Sequence, residues 1–353
     1  MRSFDDFSIA TEMDIFSDRL LAAPVNGGFA MDGHWVWCGS AIRGDDGRYH
    51  LFASVWSQSL PFWPCWVTNS RIVRASADQP QGPYVFEETV LPARDPSFWD
   101  GRMTHNPSIH RASDGTYLLF YTGSTYDAPV PTAEDPGQWG DARAALARAN
   151  QRVGLATAPS INGPWQRRDE AIIQPRPGKW DGLMSTNPAP CVLPDDSILL
   201  VYKSTANQTD LLRLGVSKAE HYNADFKRLS DESILNFDQT NDHVEDPYVW
   251  YDGNQFQLIM KDMEGGICGE QYGGIHACSP DGIHWRLADL PMAYSRTVKW
   301  DNGSTTRQAH FERPQLLIEN GRPTYLFAAT SDANSETDYL TITRTWTMVI
   351  PLA

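Results

Sequence analysis

HNPSIHRASDGTYLLFYTGS (105–124), TNPAPCVLPDDSILLVYKS (186–204), EDPYVWYDGNQFQLIMKDM (245–263) and ERPQLLIENGRPTYLFAATS (312–331) share one grammar. Each has a polar residue before Pro, an apolar stretch, a Gly/Asp/Asn turn and an aromatic-rich second stretch. WCGSAIRGDDGRYHLFASVWS (37–57) keeps the same register without the proline, since Cys38 to Tyr49, Asn106 to Tyr117 and Asn187 to Ile198 are equal steps. Alternating apolar residues around such turns predict β-hairpins.

A second recurring pair of strands follows the hairpins. RIVRASADQPQGPYVFEETVL (71–91), VGLATAPSINGPWQRRDEAII (153–173), LRLGVSKAEHYNADFKRLSDESIL (212–235) and GIHACSPDGIHWRLADLP (274–291) share its outline. Hairpin plus hairpin makes a four-stranded antiparallel sheet, and five sheets predict an all-β, five-bladed β-propeller of roughly 70 residues per blade. Blades are expected to start near residues 35, 104, 185, 244 and 311, within a single domain spanning 1–353. The last block has one strand after its hairpin, YLTITRTWTMVIPL (339–352), so residues 13–33 are expected to supply the missing outer strand and close the ring. A β-sandwich pair would not explain five registered repeats.

The 353 residues are 41% hydrophobic and 21% charged, enough for a sizeable core. With 29 Lys+Arg against 44 Asp+Glu, the net charge of −15 opposes nucleic-acid binding. No apolar run reaches membrane-span length and the N-terminus does not read as a signal peptide. Five scattered cysteines without CxxC spacing suit a reducing compartment, and the expected location is the cytoplasm. A homo-oligomer is compatible with this reading. Dinucleotide, P-loop, HExxH and G-x-S-x-G motifs are absent from the sequence.

In a propeller, side chains at one register meet around the axis. Here that ring reads Cys38, Asn106, Asn187, Glu245-Asp246 and Glu312-Arg313, with His105, His243 and His310 close by. Such a set suits a small polyhydroxylated ligand. Alternatively, Pro at a strand start is ordinary punctuation and Asn or Asp there caps a turn. Asp32, Asp100 and Asp181 recur in D-G turns; Asp32 is singled out because it introduces blade one. The loop WSQSLPFWPCWVTNS (56–70) offers Trp56 and Trp63 for stacking on sugars, or else a lid or oligomer contact. Lys203 and Lys261 end second strands and can reach the same rim.

GSAIRGDDGRYHLFASVW, EDPYVWYDGNQF and HFERPQLL (310–317) resemble motifs of the five-bladed propeller glycoside hydrolases, the group of families 32, 43, 68 and 117. The resemblance implies an exo-acting glycosidase on a short oligosaccharide or glycoside, with Asp246 and Glu312 as catalytic carboxylates and His310 as rival acid. The register of the family's blade-one Asp holds Cys38, so Asp32, the nearest upstream carboxylate, is the expected substitute. His105, Asn106, Asn187, Glu245, His310, Arg313, Trp56 and Trp63 are expected to bind substrate. The resemblance also allows a structural cation on the axis, through His105 or His310. A glycoside phosphorylase, with Arg313, Lys203 and Lys261 holding phosphate, and a non-catalytic carbohydrate-binding propeller are the alternatives.

Overall fold

A computed structural model describes residues 16–138, 140–237, 240–335 and 339–353. Among these, five antiparallel sheets surround an axis, and the innermost strands are His34–Arg43, Met103–Arg111, Thr186–Val192, Val244–Tyr251 and Glu312–Glu319. Blade one adds Tyr49–Ser57, Arg71–Ala77 and Val85–Leu91 in chain order outward, and blade four adds Phe256–Asp262, Gly274–Ser279 and Arg286–Tyr294. In blades two and three the outer strands shrink to Gln166–Arg167 and Lys227–Arg228. A short hairpin, Thr297–Lys299 with Thr305–Arg307, forms within the segment between blades four and five.

The core is distributed between blades, because each sheet hides both faces against its neighbours. Val36 and Leu51 pack on Phe327 and Val349 across blades one and five. Phe52 and Ile72 meet Leu119 and Tyr121 across blades one and two. Val201 and Val216 meet Leu258 and Ile275 across blades three and four. Strands buried on both faces read as nearly continuous apolar runs, which is how YLLFY and ILLVY appear in the sequence.

Blade five has three regular strands, Glu312–Glu319, Arg322–Ser331 and Thr345–Pro351. The N-terminal segment runs beside the last of them through isolated pairings. Phe29 and Thr347 exchange both backbone hydrogen bonds at 2.9 Å, and Leu20 bridges Leu352. Phe16–Arg19 form a 3₁₀ turn, and residues 13–15 lie outside the described residues. The pairing breaks around Gly28, where φ is 76° and a Cβ would lie 1.9 Å from the Thr347 carbonyl oxygen.

Candidate active site

Every innermost strand carries a bulge, and the residue at the bulge has left-handed backbone: Cys38, Asn106, Asn187, Asp246 and Arg313, with φ between 51° and 56°. The proline that follows in four blades lacks an N–H, so it fits where the ladder is interrupted. Asn and Asp tolerate this conformation; Cys and Arg do so rarely. The x-Pro dipeptides of the sequence are therefore the bulges that turn these five side chains onto the axis.

They form a directional relay. The Cys38 thiol donates to Asn106 Oδ1 (2.9 Å), Asn106 Nδ2 to Asn187 Oδ1 (2.6 Å), and Asn187 Nδ2 to Asp246 Oδ1 (2.6 Å). The backbone N–H of Arg313 donates to Asp246 Oδ2 (2.9 Å). An ionised Asp246 only accepts, which fixes the direction of every amide in the ring. Burial drives the Cys38 thiol well above its ordinary range, so it serves as a donor here.

One residue earlier stand Trp37, His105, Thr186, Glu245 and Glu312. Four of them, all but Thr186, line a cavity of about 270 Å³ whose floor includes Asn106, Asn187, Asp246 and Arg313. Its wall is aromatic. Phe62, Trp63 and Trp66 come from a short kinked helix, Phe62–Asn69, formed inside what the sequence suggested was a loop. Tyr339 packs beside Phe62 and Trp63, with ring centroids 6.1 and 5.9 Å away, and Tyr272 also lines the cavity. Arg148 and Gln151 come from the end of a second helix, Ala142–Ala149, and just beyond it.

Charges alternate across blades three to five. Lys203 Nζ donates to Glu245 Oε2 (2.7 Å), Lys261 Nζ lies 2.5 Å from Glu245 Oε1, and Lys261 also pairs with Glu312. Glu245 and Lys261 are cross-strand neighbours, so strand register alone makes that pair. Burial would raise Glu245, but the two ammonium groups outweigh it and hold the carboxyl far below its usual range. Burial opposes the charge on Lys261, yet Glu245, Glu312 and Asp246 hold it protonated. Glu312 is pushed up to about 7 by burial, with Asp246 and Glu245 adding to the rise and Lys261 opposing it.

His105 is buried and neutral, its basicity lowered to about 3 by burial and by the nearby Arg313 and Lys203 charges. Ser70 donates its hydroxyl to the Thr104 carbonyl, so it accepts from His105 Nδ1–H at 2.7 Å. This leaves Nε2 as an acceptor, 3.7 Å from Cys38 Sγ.

Three expected site residues lie elsewhere. Asp32 is exposed on the turn before blade one and does not line the cavity, because the turn precedes the bulge by several residues. Its sequence echoes Asp100 and Asp181 are fully buried supports, the first bound by Arg94, Arg167 and Tyr121 and the second by Arg176, Arg228 and Tyr202. Trp56 is buried behind Phe62 and His105, with ring centroids 5.2 and 6.0 Å away. His310 is likewise buried outside the lining, stacked on Tyr339 and bonded to Ser331 at 2.6 Å. We expect Asp32→Asn to leave turnover within about twofold of the parent in a steady-state assay, as for other exposed substitutions.

The structure brings together Asn106, Asn187, Glu245, Asp246, Glu312, Arg313, His105 and Trp63. Sequence reading missed Arg148, Gln151, Tyr272 and Tyr339. Among the described residues, the oxygens of Glu245, Asp246 and Glu312 lie within 4.8 Å of one another, the one grouping with metal-site geometry. Lys261 Nζ already sits against Glu245 and Glu312 and 4.0 Å from Asp246, supplying the positive charge that a cation would bring. On the axis, the Arg313 guanidinium beside His105 likewise disfavours a cation. The residues do not fit a resident metal.

No protein-family model matches the sequence, and no curated protein matches it. Solved structures do. A family 117 glycoside hydrolase, Zg3597 of the marine bacterium Zobellia galactanivorans, aligns over 94% of this chain and 89% of its own with a TM-score of 0.62 at 14% identity. An α-L-arabinofuranosidase from Lactobacillus brevis aligns over 92% of both chains with a TM-score of 0.56 at 13% identity. A structure described with the GH130 family of mannoside phosphorylases, which contains glycoside hydrolases, aligns over 90% of this chain and 84% of that one, with a TM-score of 0.54 at 12% identity. At such identities the likeness is one of fold, and the chain has the five-bladed propeller architecture found in these carbohydrate-active enzymes.

Proposed function

We propose that the protein is a glycoside hydrolase that removes a terminal sugar from a short oligosaccharide or glycoside. The observation carrying this reading is the pair Glu312 and Glu245, two carboxyl groups at one site with opposite protonation tendencies. Environments that push paired carboxyls apart assign the acid and the base. Glu312 keeps a proton near neutrality and delivers it to the leaving glycosidic oxygen. Glu245 stays ionised and faces the developing positive charge at the anomeric carbon.

The nearest carboxylate oxygens fall within 4.8 Å, short of the about 6.5–9.5 Å that inverting enzymes keep for a water molecule. This favours a double displacement. Glu245 attacks the anomeric carbon as the protonated leaving group departs, forming a glycosyl ester. Water then displaces Glu245 while Glu312 recovers the proton. Asp246 is only 3% exposed and is tied into the ring by Asn187 and the Arg313 N–H, whereas Glu245 is half-buried. Asp246 therefore raises Glu312 and fixes the floor, while Glu245 meets the substrate. Replacing it with Asn is still expected to cut kcat by about tenfold or more, through Glu312 and the ring.

The cavity is smaller than the about 300–1,000 Å³ of pockets for drug-sized ligands, which suits one sugar residue and an exo mode. Trp63 and Trp66 offer faces for the sugar's C–H surface. Trp63→Ala is expected to raise KM by up to about tenfold with a smaller change in kcat. The ion pairing disfavours the phosphorylase alternative, since Lys203 and Lys261 are already neutralised by Glu245 and Glu312. Five free, buried cysteines support work in the cytoplasm on imported sugars. The test is a panel of aryl pyranosides and furanosides, assayed with and without phosphate beside Glu312→Gln. Release of aglycone that is independent of phosphate and lost in the variant supports the reading. Binding without any product would support a non-catalytic sugar-binding propeller instead.

A further inference from the structure

Arg313 is a member of the axial ring whose side chain the ring does not use. Its Nε, Nη1 and Nη2 are all buried without a hydrogen-bond partner, although the residue lines the cavity floor and is only 3% exposed. The nearest carboxylate oxygen, Asp246 Oδ1, is 3.8 Å from Nη1, beyond hydrogen-bond reach, and already accepts from Asn187. The Cys38 sulfur beside the guanidinium is at best a weak acceptor. The group is thus withdrawn from water without a strong partner, which is costly and calls for a missing one. Its φ of 52° is also rare for Arg, so the backbone holds it in place against local preference.

The charge balance of the cavity points the same way. Arg148, Lys203, Lys261 and Arg313 face Glu245, Asp246 and Glu312, and the last holds a proton near neutrality. Cations therefore predominate along the lining of this cavity, in a chain whose net charge is −15. The lysines are engaged by Glu245 and Glu312, whereas the Arg313 fork is open, and a planar fork matches an oxyanion with two parallel N–H···O bonds.

We propose that Arg313 binds the carboxylate of an acidic sugar, so that the residue seated in this cavity is a hexuronate rather than a neutral hexose. The proposal rests on reading the cavity as a sugar site. Inorganic phosphate is the competing oxyanion, and the experiment separates the two.

Calorimetric titration of the intact protein with D-glucuronate, D-galacturonate and D-mannuronate, each beside its neutral hexose and beside inorganic phosphate, tests this. At least one hexuronate should bind at least about tenfold more tightly than its neutral counterpart, and Arg313→Gln should erase that preference. Equal binding of acid and neutral sugars, or no binding by any acid, overturns the proposal. So does phosphate binding through Arg313 with no uronate preference, which would assign the fork to phosphate. If Arg313→Gln does not fold, the comparison within the parent protein decides alone. Uronate binding without cleavage would leave this proposal standing and remove the hydrolase reading. Cleavage of neutral glycosides with no uronate preference would do the reverse.

Discussion

Replacing Glu312 by Gln is expected to lower kcat on an aryl glycoside with a poor leaving group by about 10²–10⁴-fold, the usual range for a lost general acid. The loss should shrink for a substrate whose leaving group needs no proton, because only the protonation step is removed. In the parent protein, Glu312 titrates near 7. Activity that depends on its proton should therefore fall as pH rises through about 7, and this alkaline limb should vanish in the variant. Stability carries the same signature. A carboxyl raised from its ordinary 4.5 to about 7 binds more protons folded than unfolded between those values. Its contribution is thus fully present below about 4.5 and is lost as pH rises through about 7. Glu312→Gln removes that slope, so urea midpoints of parent and variant should differ more at pH 8 than at pH 5, with the variant gaining at the higher pH. A variant with parental turnover would overturn the assignment of Glu312 as the acid.

Much of this site was legible because the propeller repeats its register. The dipeptides Asn106-Pro107, Asn187-Pro188, Asp246-Pro247 and Arg313-Pro314 mark one bulge per blade, and placing Cys38 among them required only the equal spacing to Tyr49. The same repeat misled at Asp32. Its D-G turn echoes Asp100 and Asp181, but those aspartates are buried braces for arginines, whereas Asp32 remains exposed. Neighbouring residues at the bulge also do different work. Glu245 and Glu312 face the cavity while Asp246 and Arg313 belong to the ring, a division set by side-chain alternation that the pairs EDP and ERP do not announce. Trp56 and Trp63 looked equivalent within one aromatic loop, yet Trp56 ends a strand and packs inward while Trp63 sits at the kink of a helix. Arg148 and Tyr339 come from connections outside the repeat, where no register exists to predict them.

The largest stability effect is expected at Lys261. Its ammonium lies between Glu245 and Glu312 and 4.0 Å from Asp246, all in a buried setting. Lys261→Met keeps the length of the stem and removes the charge, leaving three carboxylates within 4.8 Å of one another with Lys203 as the remaining direct partner of Glu245. Removing one partner from a buried ionic cluster costs about 3–5 kcal/mol, because the groups left behind cannot regain water. The cluster has one escape, which is to take up a proton on Glu312. Without Lys261 to oppose it, that carboxyl should titrate still higher. The destabilisation measured by urea unfolding should therefore be greatest near pH 8 and smaller near pH 5. Adding Glu312→Gln to Lys261→Met should restore part of the loss, a coupling expected of residues in direct contact. If Lys261→Met is as stable as the parent at pH 8, the lysine is not the counter-ion of this cluster. The carboxylates would then need another source of positive charge, and the argument against a bound cation at Glu245, Asp246 and Glu312 would fall with it.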